Sequence, residues 1–169
     1  MATNSITEIY VLRHATPAAS DLPNRLRPLS EVGQRQAKVL ASYLSSFDLT
    51  AIYTSPFKRA VDSIAPFCKA VSLIPVERED LGESGEAEQL PEVRIRLIQA
   101  LSSIAEAHSG KRTLVCTHGG CLWGVISHFD ENFGYEDYRN IRTPDMRKMI
   151  FGEDSPRLDS GFVFDLPHA

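Results

Sequence analysis

A three-layer α/β/α sandwich around a mostly parallel sheet, closed by an antiparallel C-terminal edge, is the fold this sequence predicts. Two observations carry it. Short apolar runs alternate with amphipathic stretches of helical period, the pattern of successive βαβ units. The last two apolar runs are joined by a Gly/Asp/Ser/Pro turn, which makes them antiparallel neighbours. The 169 residues suffice for one core. No repeat, low-complexity tract or composition shift marks a boundary, so residues 1–169 read as a single domain.

Taken in order, residues 6–12 form a first strand, apolar enough to be buried on both faces. Residues 15–29 hold Pro17, Pro23, Asn24 and Pro28 and form a loop. Ser30 is an N-cap, after which Ala37, Leu40, Ala41, Leu44 and Phe47 recur at helical spacing. Residues 51–54 are a short strand. Ser55-Pro56 then restarts a helix, with serine as cap and proline at the first helical position, and Pro66 should kink or end it. Residues 74–76 are a weak edge strand leading into an acidic, glycine-containing loop. Pro91 opens a helix that Gly110 stops; residues 112–116 are a strand and 120–129 a helix. Residues 148–151 and 161–166 form the two closing strands.

The chemistry gathers where strands end. Arg13-His14 directly follows the apolar run Ile9-Tyr10-Val11-Leu12, and His118-Gly119 follows Thr113-Leu114-Val115-Cys116. If those strands lie parallel in one sheet, both histidines sit on its C-terminal edge, where ligands bind in open α/β sheets. The loop after the second strand leads to Arg59. The loop after the third carries Glu79, Asp80, Glu83 and Glu86. Guanidinium forks match tetrahedral anions, which points to a phosphoryl group. An imidazole can take phosphorus covalently, two arginines and a second histidine can hold the equatorial oxygens, and a carboxyl can protonate the leaving alkoxide.

On those residues the chain resembles the histidine phosphatase superfamily, the phosphoglycerate-mutase-like group. Leu12-Arg13-His14-Ala15 is similar to its R-H-G/A signature, and residues 29–37 (LSEVGQRQA) to its L-[ST]-x-x-G-x-x-Q-A. Ser55-Pro56-Phe57-Lys58-Arg59-Ala60 resembles its S-P-x-x-R-A, Asp80-Leu81-Gly82-Glu83 the L-x-E that carries its acid, and Thr117-His118-Gly119-Gly120 its second histidine motif. The resemblance implies a metal-independent phosphomonoesterase with His14 as phosphorylated nucleophile and Glu83 as proton donor. Arg13, Arg59 and His118 would complete the phosphate pocket. Glu79, Asp80 and Glu86 are rivals for the acid.

The sequence departs from the family in two places. An asparagine often follows the nucleophile; here Ser20 and Asn24 are the nearest candidates, and neither is assigned. The stretch from Glu83 to Pro91 is short, where many relatives carry a covering insert, so an open site is expected. A mutase of the same family, which must retain its product, and a non-catalytic phospho-ligand binder are the alternatives.

Other chemistries lack their motifs. The sixth residue after Cys68, Cys116 and Cys121 is Ile74, Leu122 and Ser127, so no Cys-x5-Arg phosphatase loop exists. No Walker loop, G-x-G-x-x-G or G-x-S-x-G elbow is present, and no metal or cofactor is expected. The cysteines read as small buried hydrophobes. With a net charge of -4 and no basic run, nucleic acid is not an expected partner. No apolar run approaches a membrane span, and neither a basic n-region nor an apolar h-region opens the chain. A cytoplasmic protein acting on a small phosphate ester or a phosphoprotein is the expectation; oligomeric state is not readable.

Overall fold

The computed structural model describes residues 5–153 and 156–168. Its centre is strand β1 (Thr7–Arg13), flanked by parallel β4 (Arg112–Thr117) on one side and antiparallel β5 (Asp145–Phe151) on the other. β2 (Ala51–Thr54) and β3 (Val76–Glu77) extend the parallel side, and β6 (Arg157–Leu158) pairs antiparallel with β5. The order is β3-β2-β4-β1-β5-β6, the mostly parallel sheet with an antiparallel C-terminal edge that the sequence predicts.

Both faces of β1 are covered because successive strand side chains alternate. Ile9 and Val11 pack with Val115 under α3 (Leu90–Ala107) and α4 (Gly119–Phe129). Tyr10 and Leu12 pack with Ile52, Leu114 and Cys116 under α1 (Glu31–Leu44) and α2 (Lys58–Val71). The sheet is thus the middle of three layers. A short helix, α5 (Tyr135–Arg139), which the sequence reading did not contain, precedes β5.

Several expectations shift in detail. The last ladder is β5 with Arg157–Leu158, and residues 161–166 make no strand. Phe162, Phe164 and Leu166 still alternate inward against the Tyr10 core, so the period-2 pattern reports burial without pairing. α2 continues through Pro66 to Val71. Proline removes one amide donor there, while Ala60, Ile64, Phe67 and Cys68 keep the helix on the core. α2 also starts later than the Ser55-Pro56 signal, at Lys58 with Phe57 in the cap position.

Candidate active site

The parallel pairing of β1 and β4, with Arg13 opposite Thr117, brings the residues that follow each strand to one edge. His14 and His118 meet there with ring centroids 5.2 Å apart. Both are buried: His14 is 4% exposed and His118 0%.

The His14 ring is fixed by one bond. Its Nδ1 lies 2.7 Å from the Ala15 carbonyl oxygen, which can only accept, so Nδ1 carries the proton. Nε2 is then the basic nitrogen, and it receives the Arg59 Nε–H at 3.2 Å. Burial, aided by the charges of Arg59, Arg13 and Arg27, lowers the His14 pKa from 6.5 to about 4, so the ring is neutral near pH 7 with a lone pair on Nε2.

The segment after His14 is held by the residues at 29–37. The Ser30 hydroxyl accepts from Gly33 N as a helix cap and donates to Thr16 O, both at 3.0 Å. A Cβ on Gly33 would stand 2.1 Å from Thr16 O, so only glycine allows this approach. Gln36 accepts from Thr16 N at 2.9 Å and donates to Thr143 O at 3.0 Å. On the other side, Ser63 Oγ accepts from Ala15 N at 2.8 Å and donates to Arg59 O at 2.6 Å. A single serine therefore ties the backbone at His14 to the backbone of Arg59.

Arg59 is 2% exposed and at the centre of the cluster. Its Nε faces His14, Nη1 donates to Asn24 O at 2.7 Å, and Nη2 makes a short ion pair with Glu83 Oε2. Phe57 lies under its guanidinium at 5.1 Å and edge-on to His118 at 5.0 Å.

Of the four acidic candidates, Glu83 alone reaches the histidine–arginine cluster among the described residues. Glu79 forks onto Arg25 and Asp80 onto Arg78. The Glu83 loop is anchored from below: Leu81 is fully buried, Thr117 Oγ1 donates to Leu81 O at 2.7 Å, and Arg96 Nη1 donates to Asp80 O and Gly82 O at 2.7 and 3.1 Å.

Arg13 approaches from the β5 side. Its Nη1 donates to Ile141 O at 2.6 Å and Arg142 O at 3.3 Å. Gly119, at the start of α4, makes room for it, since a Cβ there would lie 2.8 Å from Arg13 Cζ. His118 Nε2 sits 2.7 Å from Ser55 Oγ, whose oxygen also accepts from Phe57 N at 3.2 Å. Burial first, then the charges of His14, Arg59 and Arg13, hold the His118 pKa well below 6.5.

Two polar atoms in this ring are buried without a partner, Arg13 Nε and His118 Nδ1. Buried polar groups usually find a partner, and these two are free to bond an incoming group. All five residues expected from the sequence are thus brought together, and the arrangement can receive an oxyanion against three cationic or donor groups beside an imidazole lone pair.

An open site was expected; His14 and His118 are buried, while Glu83 keeps 31% of its side chain exposed. The loop over residues 15–29 folds across the site, with Asn24 Nδ2 on Glu83 at 3.1 Å and Arg25 on Glu79 at 2.5 and 3.0 Å. Cover comes from this earlier loop, so the short Glu83–Pro91 stretch does not leave the histidines exposed. Asn24, Ser55 and Arg27 were not assigned from sequence. The Ser-Pro pair adjoining Arg59 was a signal for Ser55; Arg27, whose charge is felt at His14 and Arg59, carried none. Among the described residues no cluster of three or more His, Cys, Asp or Glu could hold a metal ion, and no helix is long and apolar enough to cross a membrane.

The metal-independent phosphoserine phosphatase of Arabidopsis thaliana is 30% identical over 162 aligned positions, covering 72% of this chain and 68% of that protein. Among solved structures, Bacillus stearothermophilus YhfR superposes with a TM-score of 0.77 at 20% identity, covering 94% of this chain and 98% of that one. Phosphoglycerate mutase from Bacillus anthracis str. Sterne gives 0.77 at 17% identity, covering 93% of each chain. At those identities the superpositions speak to the fold alone. The family model of the histidine phosphatase superfamily, branch 1, matches residues 9–92 and 76–159. With that match across most of its length, the chain belongs to the histidine phosphatase superfamily.

Proposed function

We propose that this chain is a metal-independent phosphomonoesterase that works through a phosphohistidine at His14. The observation that carries the reading is the His14 ring itself. Its Nδ1 proton is committed to Ala15 O, and its neutral Nε2 faces the Arg59 guanidinium. The substrate's phosphoryl oxygens would lie on Arg59, Arg13 and His118, whose unpartnered Arg13 Nε and His118 Nδ1 supply donors.

The His14 Nε2 lone pair attacks phosphorus as the bond to the leaving oxygen breaks, and the Glu83 carboxyl gives that oxygen its proton. The Glu83 carboxylate then takes a proton from water, whose oxygen displaces Nε2 from phosphorus and releases inorganic phosphate. In the free protein Glu83 is bound to Arg59, so the incoming phosphoryl group must replace it there, and the released carboxylate must take up a proton from solvent, before Glu83 can protonate the leaving oxygen. The close cover over the histidines favours a small phosphorylated metabolite over a folded phosphoprotein.

Turnover of p-nitrophenyl phosphate tests the reading: His14→Ala should abolish it, since a covalent nucleophile has no substitute. Activity within about tenfold of the parent, well short of the usual loss of a nucleophile, would overturn it.

The covering loop supports a second reading, phosphoryl transfer of the mutase type, because a mutase must keep its intermediate enclosed. Incubation with one phosphoglycerate isomer separates the two: isomer interconversion marks the mutase, and inorganic phosphate release marks the phosphatase.

A further inference from the structure

Which nitrogen of His118 carries the proton is decided by a residue outside the phosphate pocket. The ring is neutral near pH 7, so it holds a single proton on one nitrogen or the other. Its Nε2 sits 2.7 Å from Ser55 Oγ, while its Nδ1 is buried without a partner among the described residues.

The surroundings hold both groups still. Ser55 directly follows β2, and its backbone N–H donates to Cys116 O at 2.9 Å, two residues before His118. The Ser55 carbonyl accepts from Thr54 Oγ1 at 3.0 Å. The His118 ring packs edge-on against Phe57 at 5.0 Å and His14 at 5.2 Å. Ser55 and His118 are both 0% exposed, so solvent does not stand in for a missing partner.

A serine hydroxyl has one proton to donate and two lone pairs that accept. One lone pair of Ser55 Oγ takes the Phe57 N–H at 3.2 Å. If His118 Nε2 also donated to this oxygen, the hydroxyl proton would have no acceptor among the described residues. Nδ1 would then turn a bare lone pair toward the phosphoryl oxygens. If Ser55 donates instead, its proton meets the Nε2 lone pair, and the ring proton stays on Nδ1 as a donor. Stranding a buried donor is costly, so the second arrangement wins: it strands no proton except the one a ligand would take.

Resting on the phosphomonoesterase reading above, we propose that Ser55 is a positioning residue that sets the His118 tautomer, its hydroxyl donating to Nε2 and so aiming the Nδ1 proton at the phosphoryl oxygen. His14 and His118 then carry their protons on the same ring atom to opposite effect. A carbonyl holds the His14 proton and leaves a lone pair to attack. A hydroxyl fills the His118 lone pair and leaves a proton to meet developing charge.

The test reads the proton directly. The protein is made with isotopically labelled histidine, and two-bond proton–nitrogen spectra are recorded at neutral pH without substrate, with His118→Asn assigning the His118 signals. Nδ1 should show the shift of a protonated ring nitrogen and Nε2 that of an unprotonated one. In Ser55→Ala the proton should move toward Nε2. Turnover of p-nitrophenyl phosphate by that variant should fall by about 10²–10³-fold in kcat, the usual loss of one oxyanion donor, with KM changed by less than about threefold.

A parent ring protonated on Nε2 would overturn the assignment without any variant. So would a Ser55→Ala protein whose proton stays on Nδ1, because any lost turnover would then belong to the Phe57 N–H contact, or one whose kcat is unchanged. The resting spectrum also separates this inference from the reading beneath it. A Ser55-dependent Nδ1 proton in a protein that hydrolyses no phosphate ester would keep the tautomer assignment and remove the phosphomonoesterase reading. Turnover with the proton on Nε2 would do the reverse.

Discussion

His14 and Glu83 meet the same guanidinium, yet the protein holds them in different ways. His14 is 4% exposed at the end of the central strand, and three hydrogen bonds from two separate segments fix the backbone beside it. Glu83 is on a loop, with 31% of its side chain exposed, and its contacts are the Arg59 ion pair and the Asn24 amide. The comparison teaches a division of labour. An attacking nitrogen must be aligned with phosphorus, which favours rigid placement. A proton donor must leave Arg59, meet the substrate and later meet water, which favours a loop.

The largest expected effect sharpens the loop side of this comparison. An alkyl phosphate expels a strongly basic alkoxide and needs a proton, whereas p-nitrophenolate leaves almost unaided. Glu83→Gln should slow alkyl phosphates by about 10²–10⁴-fold and p-nitrophenyl phosphate far less. Equal slowing of both would make Glu83 a positioning residue.

The rigid side can be disturbed without removing any charged group. In Gly119→Ala the new methyl would press on Arg13 Cζ and Nε at 2.8 and 2.9 Å. Arg13 is a flexible side chain and can swing aside, so the melting temperature should barely change. Turnover should fall by about 10²–10³-fold, the usual loss for one displaced oxyanion donor. A drop in stability with activity intact would mean that Arg13 is structural.

Burial of His14 also makes a pH signature. The folded protein resists protonating this ring until about pH 4, while an unfolded chain protonates near 6.5. Between those values the unfolded state binds more protons, so stability should fall as pH falls from 6.5 toward 4. The His14 share is on the order of 3 kcal/mol, and His118 adds in the same direction. Urea midpoints across that range should decline less in His14→Gln than in the parent. Parallel declines would show that the ring titrates normally.

The smallest effect belongs to Asn24, which holds both partners of the Arg59–Glu83 pair: its amide donates to Glu83 and its carbonyl accepts from Arg59. The carbonyl is backbone, so Asn24→Ala removes only the Glu83 contact. A loss of roughly threefold to tenfold on alkyl phosphates is expected for one hydrogen bond of ordinary strength.

What the sequence made legible follows the same division. Motifs on rigid elements were readable because each residue type answers a local demand: Gly33 for the approach to Thr16 O, Ser30 as a cap, Arg13 and His14 at a buried strand's end. The mostly parallel sheet with an antiparallel edge followed from alternation and from the final turn, whereas the strand order came only with the structure. Loop geometry was not readable. The cover by residues 15–29 depends on Arg25 finding Glu79 and Asn24 finding Glu83, pairs separated by more than fifty positions, and no local periodicity encodes them. Residues 161–166 misled for a related reason, since alternating burial against Tyr10 and Phe47 needs no ladder partner. α5 was missed because five residues between turns carry too little helical pattern.

The most direct test of the central claim, that the phosphoryl group is held covalently on His14, is to capture it. The protein is mixed with phosphorus-labelled substrate, quenched in base within the first turnovers, digested and mapped by mass spectrometry. The account predicts label on the peptide containing His14, bound through Nε2, stable in base and lost in acid, and absent from His14→Ala. Turnover with no labelled peptide, or label that resists acid or maps to another residue, would contradict it.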